Sequence, residues 1–251
     1  MTKTVLSDYL GEGVQKISLN RPHRLNAIVP ELLEDLIAAL DAANRDARVG
    51  AIVLTGEGRA FCAGDDLKEF NSQATDEAGT TAYIERIQDV TRALMLGKRP
   101  VIGAIRGWAC GGGLEWVINC DFAIAARGTR FFFPEISLGV FVTGGVTDIL
   151  PRLVGLQRAR EMIMLGEKFD ADQAKSWGLV RNVVADEELL PNALALAQRI
   201  AALPRERVSD LRRILARRTG AGLDAAMAQE TEATVKGFLD PESAKRVAQF
   251  R

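Results

Sequence analysis

Histidine is almost absent, His23 being the only one in 251 residues. A histidine-cluster metal site is therefore excluded, and a Ser-His-Asp triad would rest on that one ring. His23 lies in an Arg-Pro-His-Arg turn, where an exposed loop residue is the expected reading. Cysteine is also scarce. Cys62, Cys110 and Cys120 have no CxxC spacing and are too few for a disulfide scaffold, so they read as buried thiols. Charge of one sign is missing as well: 32 basic against 33 acidic residues leave a net charge of -1, and no overall field attracts nucleic acid or an anionic membrane. No apolar run approaches the roughly 18 residues of a membrane span. The opening Met-Thr-Lys-Thr-Val-Leu lacks the basic-then-apolar pattern of a signal peptide, so a cytoplasmic location is expected.

What is present is ordinary globular material, with 47% hydrophobic and 26% charged residues. Apolar runs rich in β-branched residues at Val14 to Leu19, Ala51 to Thr55, Pro100 to Ile105, Phe122 to Ala125, Arg130 to Phe133 and Leu179 to Val184 read as strands. Helical stretches come between them. Glu31 to Ala43 presents Leu33, Leu36, Ile37 and Leu40 on one face, with Pro30 as a start signal, and Ile84, Ile87, Thr91 and Leu94 mark a second helix. The alternation predicts an α/β fold with largely parallel pairing. After Val184 only helices are expected, at Glu187 to Leu203, Glu206 to Arg218 and Leu223 to Leu239. The segment Arg205 to Arg218 holds six arginines against Glu206 and Asp210. A solvated helix face is the plain reading, and an RNA or phosphate surface the alternative.

Three segments carry chemistry. In the first, the strand from Gly50 to Thr55 leaves the core into a glycine-bearing loop ending Phe61-Cys-Ala-Gly-Asp-Asp-Leu-Lys68. The second runs Pro100-Val-Ile-Gly-Ala-Ile-Arg-Gly-Trp-Ala-Cys-Gly-Gly-Gly-Leu-Glu115. A helix starting near Gly112 would aim free amides and a positive dipole end into that loop, which makes an anion or oxyanion site. Neither loop fits GxGxxG or GxxxxGK[ST], so nucleotide readings lose their support. The third segment places Glu135 after an aromatic strand and a proline. Two glutamates, Glu115 and Glu135, beside an oxyanion site suit proton transfer at carbon next to a carbonyl, although spacing alone leaves two surface carboxylates open.

Taken together, these segments resemble the enoyl-CoA hydratase/isomerase, or crotonase, superfamily. The likeness spans essentially the whole chain. It runs through Leu19-Asn-Arg-Pro-His-Arg-Leu-Asn-Ala27, Ala60-Phe-Cys-Ala-Gly-Asp-Asp-Leu67, Gly111-Gly-Gly-Leu-Glu115 and Pro134-Glu-Ile-Ser-Leu-Gly139, then Leu150-Pro-Arg-Leu-Val-Gly155 and Ala174-Lys-Ser-Trp-Gly-Leu-Val180. The resemblance implies a crotonase-like spiral of ββα repeats over about 1–190 and a C-terminal helical trimerisation region over 191–251, hence a homotrimer or hexamer. It implies an acyl-CoA thioester substrate, with no separate cofactor and no metal, and no nucleic-acid or membrane partner.

Mapped onto this chain, the resemblance puts oxyanion amides at Asp65 and Gly112 and both hydratase acids at Glu115 and Glu135. Glu115 would activate water and Glu135 would protonate C2. Arg24, Ala63, Asp65, Leu67 and Lys68 would face coenzyme A. Two departures stand out. Asp65 is an acid where relatives place a small or apolar residue, so its carboxylate has to point away from the enolate. Val140-Phe-Val-Thr-Gly-Gly-Val146 replaces a Pro-Gly-containing loop that borders the acyl group. A double-bond isomerase, a thioester hydrolase and a non-catalytic or RNA-binding relative are the competing readings. An isomerase needs only one acid, so having both favours hydration.

Overall fold

A computed structural model describes residues 3–70 and 76–250, with the backbone alone for 217–221. Six strands form the main sheet in the order β1 (Val5–Tyr9), β2 (Val14–Leu19), β3 (Ala51–Gly56), β4 (Val101–Ile105), β6 (Phe122–Ala126) and β9 (Asn182–Val184). Only β1 with β2 is antiparallel, and every later pair in this sheet is parallel. A smaller sheet joins β5 (Trp108–Cys110), β7 (Arg130–Phe132) and β8 (Phe169–Asp170).

The main sheet is covered on both faces, which is why its central strands read as continuous apolar runs. Toward one side, Ile17, Leu19, Ile52, Leu54 and Ile105 join a large core with helices α1 (Pro30–Arg45) and α2 (Glu77–Leu96). The other side is narrower. Val14, Ala51, Val53, Ile102, Ala104 and Ile124 meet Leu189, Ala193, Ala197 and Ala201, an i, i+4 stripe of α8 (Leu189–Ala201). Alanines let that helix approach closely: a Cβ built on Gly50 would stand 2.8 Å from the Ala201 Cα.

Shorter helices complete the chain: α3 (Gly112–Asn119), α4 (Glu135–Leu138), α5 (Val146–Val154), α6 (Leu156–Leu165) and α7 (Ala171–Ser176). The six expected strands are present. Missing from the sequence reading are β1, a mostly exposed edge strand, and the two- and three-residue strands β5 and β8, too short to show a period.

The expected break between two C-terminal helices is a correction. A single helix, α9 (Arg205–Leu239), runs through Gly220 and Gly222, followed by α10 (Pro241–Gln249). Packing overrides propensity here, because a Cβ at Gly222 would stand 2.6 Å from Asp148 Oδ1, so a small residue lets α9 lie against α5. The helix covers its own chain: Leu223, Met227, Val235 and Phe238 join the core, and Phe238 stacks on Phe70 at 4.6 Å between centroids.

Arg212 corrects the picture of a solvated arginine face. It is buried, with Nε 2.8 Å from Asp121 Oδ1 and its terminal nitrogens on the carbonyls of Leu94 and Gly97. Breaking such a pair from one side costs about 3–5 kcal/mol, so Arg212 is a structural anchor. Arg207 and Arg213 do lie outward, paired with Asp210, while the side chains of Arg217 and Arg218 fall outside those described.

Candidate active site

Two loops that leave the sheet at strand ends are stitched together by main-chain bonds. Cys62 N–H donates to Trp108 O at 3.0 Å, and Cys110 N–H donates to Cys62 O at 3.0 Å. A third segment, 25–28, closes on the first: Ala63 N–H reaches Leu25 O, Ile28 N–H reaches Gly64 O, and Asp66 N–H reaches Ile28 O. This ladder uses the Ala63 and Asp66 N–H groups and the Gly64 carbonyl and leaves the Asp65 N–H out of it. The Gly112 N–H, first amide of α3, has no intrahelical partner by construction. The expected amides at Asp65 and Gly112 thus lie on two adjacent loops.

The Asp65 side chain turns to Tyr83 on α2, whose hydroxyl donates to Asp65 Oδ1 at 2.7 Å. Burial pushes the Asp65 carboxyl up to about 6, with the Tyr83 bond pulling it down and the Asp66 charge adding to the rise.

Glu115 is 1% exposed, one turn into α3. Its Oε1 accepts the Thr143 N–H at 2.7 Å and its Oε2 accepts the Thr143 hydroxyl at 2.6 Å. Burial still pushes this carboxyl up to about 8 against those two bonds, and the charges of Glu230 and Asp65 add to it. Glu135 opens α4 and is buried too, with its Oε2 lacking any hydrogen-bond partner. Burial, then the charge of Glu115, holds its carboxyl well above the usual range. The two acids flank the glycine turn: Glu135 Oε1 lies over Gly111, and Glu115 Oε2 stands 4.0 Å from where a Gly112 Cβ would be. Neighbouring carboxyls raised together in a buried site are suited to acid-base work near neutral pH.

The remaining expected residues lie on the Asp65 loop or beside it. Ala63, Leu67 and Lys68 follow along the same loop as Asp65. Asp66, buried, receives Arg21 NH2 at 3.2 Å and Arg24 Nε at 3.7 Å, and accepts the Lys68 main-chain N–H at 3.3 Å. Arg24 is therefore partly engaged by Asp66, while Lys68 is exposed. As expected, His23 is exposed, and Cys62 and Cys110 are buried free thiols; Cys120, expected to be buried as well, is only partly so. Among the described residues no group of three or more His, Cys, Asp or Glu side chains could hold a metal ion, and no helix is long and apolar enough to cross a membrane.

The sequence reading missed Thr143, Gln88 and Glu230. Gln88 sits on the buried stripe of α2 and Glu230 on the buried stripe of α9, so a polar residue at an apolar position was the available signal.

Residues 10–250 match the model of the enoyl-CoA hydratase/isomerase family. The chain belongs to this family. A probable enoyl-CoA hydratase of Rhizobium meliloti is 40% identical over 200 residues, covering 80% of this chain and 76% of that one. The 1,2-epoxyphenylacetyl-CoA isomerase of Escherichia coli is 37% identical over 206 residues, covering 81% and 78%. The crystal structure of an enoyl-CoA hydratase/isomerase from Xanthobacter autotrophicus matches over 100% of both chains, with a TM-score of 0.89 and 30% identity. The mixed α/β fold is thus that of the crotonase-family structures.

A consequence for stability follows from the Glu115 carboxyl. Its folded value of about 8 lies above the ordinary 4.5, so the folded chain holds this proton more tightly than the unfolded one. Its contribution to stability is therefore complete below about pH 4.5 and is lost as the pH rises through about 8. The Tm of Glu115→Gln relative to the unmodified protein is expected to rise steadily from about pH 5 to about pH 8. Thermal melts showing a constant difference across that window would refute the shift.

Proposed function

We propose that this enzyme is a hydratase, adding water across the C2=C3 bond of a 2-enoyl-CoA to give a 3-hydroxyacyl-CoA. The observation that carries the reading is the pair of buried carboxyls, Glu115 and Glu135, on either side of the free N-terminal amide of α3. In the proposed reaction the thioester oxygen accepts the N–H groups of Asp65 and Gly112. Those donors stabilise the negative charge that gathers on that oxygen as water attacks C3. Glu115, in the ionised form that a carboxyl raised to about 8 gains toward mildly alkaline pH, is oriented by Thr143 and takes a proton from the water as its oxygen bonds to C3. Glu135, whose unpartnered oxygen and raised proton affinity suit a neutral acid, delivers a proton to C2. One proton enters the pair and one leaves, so the two acids exchange states and reset through solvent.

The Asp65 carboxylate, tied to Tyr83, stays out of this arrangement and leaves only its amide to act. Arg24 and Lys68 supply cations to the phosphates of coenzyme A, with Ala63 and Leu67 beside them. Double-bond isomerisation is the second reading, favoured by a family description that names isomerases beside hydratases. It needs one shuttling acid, which leaves the second buried glutamate without a task. The test is a panel of straight-chain, branched, cyclic and aromatic 2-enoyl-CoA thioesters, followed by mass increase of one water and loss of the conjugated thioester absorbance. Turnover without water incorporation on every member would refute hydration.

The same proposal includes a trimer-based assembly. Exposed Leu211, Ile214 and Leu215 on the outer side of α9 give it an apolar face to cover. A monomer mass by light scattering at micromolar concentration would contradict it.

A further inference from the structure

The turn at residues 143–147 is held from three helices at once. Its Thr143 N–H donates to Glu115 Oε1 on α3, its Gly144 N–H to Gln88 Oε1 on α2 at 3.0 Å, and its Gly145 and Thr147 N–H groups to the two oxygens of Glu230 on α9 at 2.9 and 2.8 Å. The Thr147 hydroxyl donates to Glu230 Oε1 at 2.7 Å, and Gln88 Nε2 donates to Glu230 Oε2 at 3.3 Å. Every one of these partners gives a hydrogen to Glu230, so the side chain is held as an acceptor. Glu230 is only 1% exposed.

The turn itself has one workable backbone. Gly144 and Gly145 both have φ of +69°, the left-handed region that favours glycine. A Cβ at Gly144 would stand 2.8 Å from the Glu115 Cβ, and one at Gly145 would strike the Leu223 side chain. Gly145 is the N-cap of α5 and has no side chain to offer the free amides there. Glu230 reaches across from α9 and does that capping, where the helix dipole favours a negative charge. No capping side chain can be placed at Gly145 itself, where the backbone is left-handed and a Cβ would strike Leu223. The buried acid is instead used where the capped turn also carries Thr143, the residue that grips Glu115.

We propose that Glu230, together with Gln88, is a positioning residue for Glu115: it fixes the 143–147 turn so that Thr143 holds the Glu115 carboxylate in one orientation. This deepens the reading of Glu115 as an acid-base group and rests on it. The charged groups facing Glu115 are Glu230 from α9, Asp65 from the 62–66 loop and Glu135 from α4, all acidic. Neutralising Glu230 removes one repulsive charge, which lowers the proton affinity of Glu115, but it also slackens the Thr143 bonds, whose loss raises that affinity by more.

The test uses Glu230→Gln in the full chain, with Glu232→Gln on the exposed face of the same helix as control. In Glu230→Gln an amide nitrogen must face an N–H or hydroxyl donor, so one side of the clamp is lost. Expected are a fall in kcat of about 10-fold to 10²-fold with KM little changed, and a Glu115 titration moved to higher pH by carboxyl NMR, because slackened Thr143 bonds weigh more than the lost Glu230 charge. Faster hydrogen exchange at Gly144 and Gly145 should accompany them. The exchanged pair Gln88→Glu with Glu230→Gln should recover part of kcat, because the bond between the two side chains re-forms with roles reversed. If Glu230→Gln does not fold, Thr147→Val, which removes one donor to Glu230 Oε1, carries the same readouts at smaller amplitude. Lower stability with a Glu115 titration unmoved or moved to lower pH, and unchanged kcat, would overturn the proposal. Absence of hydration by the unmodified protein would fail the proposed function alone, since the Glu115 titration still decides the positioning role.

Discussion

Under the proposed hydratase reading, Glu135→Gln is expected to lower hydration of a 2-enoyl-CoA by roughly 10²-fold to 10⁴-fold, and Glu115→Gln to fall in the same range, the usual scale for removing one acid-base group. Hydration needs both a water held for attack at C3 and a proton for C2, so neither acid covers for the other. Glu135→Gln retains a side chain of the same shape in a buried site but has no proton to give. Glu115→Gln keeps an oxygen for the Thr143 N–H and can donate its amide to the Thr143 hydroxyl, so it removes the proton acceptor while the turn stays held. Binding of substrate-like thioesters should survive both changes, because the Asp65 and Gly112 amides are untouched. Steady-state kinetics with a competitive thioester analogue separate the two effects. Near-normal turnover by Glu115→Gln beside an inactive Glu135→Gln would replace the hydratase reading with the isomerase one.

Gly113→Ala is expected to damage activity nearly as much without touching an acid. Its Cβ would strike the Cys62 carbonyl oxygen and stand 2.8 Å from the Cys62 Cβ. That carbonyl accepts the Cys110 N–H, so the collision falls on the seam between the two loops that carry Asp65 and Gly112. Overpacking of this kind costs about 1–3 kcal/mol, and each kcal/mol lowers Tm by about 2–4 °C in a chain of this length. The larger effect is geometric. Displacing the reacting groups by about 1 Å can cost about 10²-fold, so kcat/KM should fall by about that factor while Tm drops by several degrees. A folded Gly113→Ala protein with unimpaired turnover would show that the seam does not set the site.

Much of the fold was legible because buried parallel strands and amphipathic helices leave periods that any reader of the chain can see. Val14 to Leu19 and Ala51 to Thr55 pair where expected, and α1 buries Leu33, Leu36 and Leu40 on the face that the spacing marks. The edge strand β1 was silent because solvent on one side removes the pressure for apolar residues. The unbroken α9 was misread because glycine propensity argues locally, while contact with α5 is made by residues about 70 positions away. Arg212 was hidden for the same reason: nothing near it in sequence announces Asp121 or the Leu94 and Gly97 carbonyls.

The sequence by itself determined the α/β class, the family likeness, and which residues could do chemistry, since glycine turns and isolated acids after strands are local features. Tertiary structure alone decided how those residues work. That the Asp65 carboxylate is taken by Tyr83, with its N–H left outside the loop ladder, depends on α2. The grip on Glu115 by Thr143, and the support of Thr143 by Gln88 and Glu230, join parts of the chain as much as 142 residues apart. The physical reason is that proton affinity is set by burial and by neighbouring charge, and both belong to the packed arrangement of helices and not to any one segment.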